Sequence, residues 1–202
     1  MIHSIVIEQF GIRLRPVQLQ DAPFIVMLRN MDHTKGKVGD SATDTATQEK
    51  WLEGYFACDG DYYFIIETSC GISLGTYGIY GVEGNQAESG RWIVHPEVPA
   101  AIPSIVLGFE VAFERLGLAR LKARTVSTNH RVLSLNRRLG FQETNNKTES
   151  QMIAGKLAHL IEFSLDAQAW GKARAQIVPL ARLAEVNIRN WEKSFLSKGT
   201  AA

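Results

Sequence analysis

Residues 87–141 read AESGRWIVHPEVPAAIPSIVLGFEVAFERLGLARLKARTVSTNHRVLSLNRRLGF, and the order of elements in this stretch decides the fold. Glu88 to Val94 has the aromatic and β-branched content of a strand. A short loop rich in alanine and proline, Pro96 to Pro103, separates it from a helix in which Ile105, Phe109, Ala112, Phe113 and Leu116 recur at three and four residues until Gly117 closes it. Leu121 to Val126 is a short strand, and a second helix, opened by Thr128-Asn129 and carried by Val132, Leu135 and Leu139, stops at Gly140.

Working outward, the chain before residue 87 reads as strand, two helices and a strand meander. Val6 to Leu14 alternates around Gly11 as one strand or two short ones. Asp21 is the expected N-cap of a first helix with Pro23 in its first turn, and a second helix is expected from about Thr47 to Ala57. Between them, Asp32 to Thr45 is polar and aperiodic, which predicts a loop. Tyr62 to Glu67, Ile72 to Val82 and Arg91 to Val94 predict three sequential antiparallel strands turning at Gly71 and at Gly84-Asn85. Beyond residue 141, Met152 to Leu165 predicts a hairpin turning at Gly155 and Lys156. Ile177, Leu180, Ala184, Ile188, Trp191 and Phe195 then mark an amphipathic helix, with Pro179 as a first-turn residue or a kink. The expected division is a domain over residues 1–170 and an appended amphipathic helix and tail over 171–202, the helix lying on the domain or on a second subunit of a homodimer.

Composition narrows the function classes. The 202 residues carry 22 basic and 21 acidic side chains, so no global field draws the chain to nucleic acid or an anionic membrane, and an anionic ligand needs a local device. No apolar run approaches the roughly 18 residues of a membrane span. The N-terminal stretch lacks the regions of a signal peptide. A cytoplasmic protein whose two cysteines, Cys58 and Cys70, are reduced is the expectation, with no metal site.

The order strand, short loop, helix supplies such a device. Unpaired N–H groups at a helix start, aided by the helix dipole, bind phosphates, and a strand edge leading to that helix pairs with an extended amide-bearing arm. Both features suit a pantetheine thioester that carries a pyrophosphate.

Three pieces of this region resemble the GNAT N-acetyltransferases, particularly the branch of ribosomal-protein N-terminal acetyltransferases and amino-sugar acetyltransferases. Ala87 to Pro96 is similar to the family's central strand ending in proline, FEVAFERLGL (Phe109 to Leu118) to the end of its cofactor helix, and NHRVLSLNRRLGF (Asn129 to Phe141) to its asparagine-to-leucine-glycine-phenylalanine signature. The resemblance spans about Ile12 to Trp170. It implies an α/β (α+β) fold with a central mixed, mostly antiparallel sheet flanked by helices, and acetyl-CoA as co-substrate. It also implies that Trp92, Ile93 and Val94 meet pantetheine, that Ala100, Ala101, Ile102 and Ser104 meet the pyrophosphate, that Asn129 and Asn136 line the arm, and that Arg137 reaches the nucleotide.

Two departures from that pattern matter. The family's loop carries an Arg or Gln and spaced glycines, whereas this one reads PEVPAAIPS and loses a donor at Pro103. Many relatives have a tyrosine that protonates the leaving thiolate where this chain has Asn136; an amide has no such proton, leaving a water or a hydroxyl such as that of Ser134. Aminolysis also needs a neutral amine, for which Glu88 or His95 is the expected general base. Each candidate has a plain structural alternative: Glu88 a salt-bridged strand residue, His95 a hydrogen-bonded turn residue, Trp92 core, Arg137 and Arg138 a solvated helix face. The polar loop, with His33, Lys35, Lys37, Asp40, Ser41, Thr43 and Asp44, is expected to wall an acceptor site for a nucleotide-linked amino sugar. The alternatives are a protein N-terminus as acceptor, or an acyl-CoA-binding module with weakened catalysis.

Overall fold

The computed structural model describes residues 2–34, 37–39, 42–144, 150–153 and 155–199. Its sheet is built from β1 (Ile7–Gln9), β2 (Ile12–Pro16), β3 (Tyr62–Thr68), β4 (Ser73–Glu83), β5 (Gln86–Val94), β6 (Arg120–Val126), β7 (Gln142–Glu143), β8 (Ser150–Ile153) and β9 (Lys156–Asp166). The strands lie in the order β1-β2-β3-β4-β5-β6-β9-β7, with β8 also paired to β9. Every pairing is antiparallel except β5 with β6. The expected mixed, mostly antiparallel sheet is therefore present, and so are the helices: α1 (Ala22–Arg29), α2 (Thr45–Phe56), α3 (Ala101–Glu110), α4 (His130–Arg138) and α5 (Ala167–Gly199).

The alternation of β3 explains the two layers. Phe64 and Ile66 face one core with α3 and α5, while Tyr63 and Ile65 face a second with Ile25 of α1 and Leu52 and Tyr55 of α2. Residues 103–110 of α3 are all buried, as expected for a helix covered on both sides. Its outer cover is α5: Trp170 meets Phe109 edge-on at 5.1 Å, and Arg174 pairs with Glu110 at 2.6 Å. A π-turn over Val111–Arg115 ends this helical segment before Gly117, whose φ of +64° needs glycine.

Of the two readings of Val6 to Leu14, the two short strands are present, joined by a tight turn with Phe10 and Gly11 both at positive φ. Several other expectations change. Asp21 does not cap α1 with its side chain; its carboxylate accepts Gln18 N–H at 2.7 Å and both terminal nitrogens of Arg15, so a neighbouring cation competes successfully for it. Asp44, by contrast, caps α2 through Thr47 N–H. Lys156 belongs to β9 and not to the turn, because Ile153 pairs directly with it. The terminal helix begins at Ala167 and carries Pro179 internally, so Trp170 is already part of it. Cys58 and Cys70 are free and exposed.

On α5, Ile177, Ala181 and Ile188 are buried against the domain, Trp191 is half-buried, and Phe195 stacks on it at 5.1 Å while remaining exposed. The domain itself thus receives most of the stripe. Ile188→Ala should lower the unfolding free energy by about 2–5 kcal/mol in urea titrations, and Leu183→Ala on the opposite, exposed face by well under about 1 kcal/mol. Equal effects at the two positions would mean that α5 is not seated as described.

Candidate active site

Parallel pairing between β5 and β6 covers only Gln86↔Arg120, Ala87↔Leu121 and Glu88↔Lys122. Beyond Glu88 the strands part. The cause is visible in β5, where the register with β4 shifts between Thr76 and Gly78 and Arg91 takes φ +48°. Such a bulge bends the strand that carries it. Thr76 Oγ1 donates to Arg91 C=O at 2.7 Å, and Tyr77 packs its ring where a Cβ on Gly108 of α3 would come within 2.3 Å.

The result is a cleft of about 850 Å³ between β5, β6, α3 and α4. His95 N–H donates to Leu74 C=O, so strand alternation turns the backbone of Ile93 toward β4 and leaves that of Trp92 and Val94 on the open edge. The expected pairing of Trp92 and Val94 with an extended arm is geometrically available, whereas Ile93 offers only its side chain. At the far end of this edge α3 begins. Ala100 N–H is bonded to Val98 C=O and Ser104 N–H to Ala100 C=O, which corrects the expectation that both are phosphate donors. Pro103 has none, so Ala101 and Ile102 supply the free first-turn N–H groups. The Ser104 hydroxyl is also engaged, accepting from Trp92 Nε1 at 3.0 Å and donating to Ala101 C=O.

Two arginines compensate for that thin donor set. Arg131 and Arg138, seven residues apart and hence on one face of α4, line the cleft. Arg137 does not: it turns 100° away and pairs with Glu143 of β7, a correction that helical geometry makes plain. Asn129 caps α4 by accepting from Val132 N–H and lines the cleft. Asn136 is buried and donates its amide N–H to Thr125 Oγ1 at 3.2 Å. Ser134 sits exposed at the rim. An open strand edge, a helix start and flanking arginines together fit the acetyl-CoA that the motifs imply.

Glu88 stands at the fork, where Tyr80 O–H donates to Oε1 at 2.7 Å and Arg124 pairs with Oε2 at 2.9 Å. Burial, reinforced by the Glu88 charge, pushes the Tyr80 phenol well up, so it stays a hydrogen-bond donor. His95 lies seven residues further along, roughly 20 Å at strand rise. It accepts weakly from Glu97 N–H beside the helix start. Glu88 and His95 are too far apart to serve one reacting centre, and His95 stands beside the start of α3.

Past the fork, Asp61 holds both terminal nitrogens of Arg91 at 2.6 and 2.8 Å, and the guanidinium lies 4.4 Å from the Tyr80 ring centroid and 5.0 Å from that of Trp51. Burial works against this charge and the Asp61 hydrogen bonds more than offset it, leaving the Arg91 pKa raised. Arg29 nearby is pushed down by burial and by Arg91. His33 and Lys37 of the polar loop line the same end, with Lys37 Nζ donating to His33 C=O. Asp44 is engaged as a cap and Thr43 is exposed outside the cleft, while Lys35, Asp40 and Ser41 lie outside the described residues. Tyr80 belongs to the tyrosines of which the sequence suggests one hydroxyl at the acceptor cleft, whereas Arg124, Asp61 and Thr125 were not singled out: pairs 36 and 30 residues apart carry no local signal.

Comparison with known proteins gives one family. The model of the acetyltransferase (GNAT) domain matches residues 12–142. Similar solved structures include FdhC, a nucleotide-linked sugar GNAT in its apo form, at 24% identity and TM-score 0.73, covering 89% of this chain and 98% of that one. A GCN5-related N-acetyltransferase from Brucella melitensis has 17% identity and TM-score 0.75, covering 89% and 86%. A mutant spermidine N-acetyltransferase from Vibrio cholerae has 17% identity and TM-score 0.69, covering 80% and 97%. At these identities the structures report the shared fold. No curated protein sequence matches the chain. No described helix is long and apolar enough to cross a membrane.

Asp61→Asn should leave the Arg91 guanidinium in its aromatic surround without a counter-charge and lower stability by about 1–3 kcal/mol in chemical denaturation. A change below about 0.5 kcal/mol would show that water, not Asp61, satisfies it.

Proposed function

The chain belongs to the GNAT acetyltransferase family, and we propose that it uses acetyl-CoA to acetylate the primary amine of a nucleotide-linked amino sugar. The observation that carries the cofactor half is the parting of β5 and β6 beyond Glu88, which leaves the Trp92 and Val94 backbone without a strand partner and leads it to the start of α3. When bound, acetyl-CoA supplies an activated carbonyl and a thiol leaving group. Ala101 and Ile102 N–H and the cations of Arg131 and Arg138 receive the phosphates. Glu88, fixed by Tyr80 and Arg124, takes the surplus proton of the attacking amine through water.

The acceptor half rests on charge. Among the described residues the cleft is lined by one carboxylate, Glu88, against six strong cations: Arg29, Lys37, Arg91, Arg124, Arg131 and Arg138. With Arg131 and Arg138 given to the CoA phosphates, Arg91 held by Asp61 and Arg124 by Glu88, the cations of the acceptor end are Arg29 and Lys37, which repel a polycationic amine and attract a diphosphate. A peptide N-terminus gains nothing from them. The likeness to the nucleotide-linked sugar GNAT points the same way as analogy, while the spermidine N-acetyltransferase shares the fold without sharing this argument.

Thiol release from acetyl-CoA, measured with nucleotide-linked amino sugars, spermidine and peptides beginning with alanine or serine, tests the reading. The nucleotide-linked sugars should give the highest kcat/KM. Lys37→Ala should raise KM for them several-fold and leave the free amino sugar unaffected. Preference for peptides or spermidine would overturn the acceptor assignment, and thiol release with none of them, despite CoA binding, would favour the binding module.

A further inference from the structure

The buried hydroxyl of Thr125 lines the cleft, and the proposed reaction leaves it without a task. Asn136 Nδ2 donates to its oxygen at 3.2 Å, and both side chains are only 7% exposed where they line the cleft. A hydroxyl that accepts from an amide has one proton left to donate. Among the described residues no protein acceptor receives it.

Its position along the cleft follows from β6. Thr125 lies three residues beyond Lys122, the last β6 residue paired with β5, and so stands on the β6 wall past the fork at Glu88, across from the stretch of β5 that carries the outward backbone of Trp92 and Val94. An arm that pairs with those two residues and leads its phosphates to α3 has its thioester end on the fork side of Trp92, facing Thr125. Of the other hydroxyls there, Tyr80 donates to Glu88, Ser134 is exposed at the rim, and Tyr77 and Ser89 share one hydrogen bond at 2.7 Å, which makes Ser89 the competing donor.

Resting on the acetyltransferase reading, we propose that Thr125 is a catalytic residue that donates its hydroxyl hydrogen bond to the departing sulfur, and that Asn136 is the positioning residue that turns that proton into the cleft. In the balanced step the amine nitrogen forms the C–N bond as the C–S bond breaks, and the electron pair of that bond stays on sulfur. Thr125 stabilises the developing charge without losing its proton, because an alcohol is a far weaker acid than a thiol. Glu88 takes the amine's surplus proton through water, and solvent protonates the thiolate to free CoA.

Two readouts test this, one independent of turnover. Thr125→Val should lower kcat about 10- to 100-fold with the KM for acetyl-CoA little changed, and Thr125→Ser should restore most of the rate. The ionisation of CoA's own thiol, bound to the protein, is followed by thiolate ultraviolet absorbance after subtracting the protein alone, since Cys58 and Cys70 are exposed. Its ionisation constant should fall about tenfold in Thr125→Val. Asn136→Leu should reduce it too, but not further in the Thr125→Val background, because Asn136 acts through Thr125. CoA bound with the same thiol ionisation in wild type and Thr125→Val would overturn the role of Thr125 alone, as would a loss seen in Ser89→Ala instead. A protein that binds no CoA would overturn the acetyltransferase reading itself.

Discussion

Everything specific about this molecule depends on where one strand pairing stops. β5 and β6 are parallel neighbours for three residues and then part, because the bulge at Arg91 bends β5. A sheet that loses a ladder in its middle exposes backbone N–H and C=O groups that must be satisfied by something else. Here the exposed edge lies inside the molecule, between helices, so an extended amide-bearing ligand can take the missing strand's place. The bulge is anchored from the other side by Asp61, Tyr80 and Trp51 around the Arg91 guanidinium, so the fork and the acceptor end of the cleft are parts of one construction.

The charge distribution follows from the same geometry. With 22 basic and 21 acidic residues the chain has almost no net field, yet the cleft lining sets six strong cations against Glu88. Glu67 pairs with Arg13 and Arg15 on β2, Glu110 with Arg174 and Glu143 with Arg137, all outside the cleft lining. Neighbouring groups do partly neutralise it, since Arg91 has Asp61 and Arg124 has Glu88. A local cationic site in a nearly neutral protein draws an anionic ligand to one place without general affinity for nucleic acid.

Much of the fold was legible in the sequence because its elements advertise themselves locally. The aromatic and β-branched content of β3 and β4, the three-and-four spacing of α3, the Asn129 cap and the Gly140 stop are all short-range signals, and each matches the structure. The backbone device was readable as an expectation, since an open edge at Trp92 and Val94 and the start of α3 need only element order. Side chains that meet across the sheet were not: Glu88 with Arg124 and Arg91 with Asp61 are partners 36 and 30 residues apart. Asp21 stands at the N-cap position of α1, as read, but gives its carboxylate to Arg15, and Arg137, read as a nucleotide contact, pairs with Glu143. Packing chooses among the partners within reach, and spacing in the chain does not encode that choice.

The central claim, that CoA replaces the missing strand along β5, is tested most directly by residue-resolved amide hydrogen exchange with and without CoA. The account predicts that the amides of Trp92, Val94, Ala101 and Ile102 become strongly protected on binding, while Ile93, already facing β4, changes little. Unchanged exchange at Trp92 and Val94 in a CoA-saturated sample, with protection appearing on another element, would contradict it.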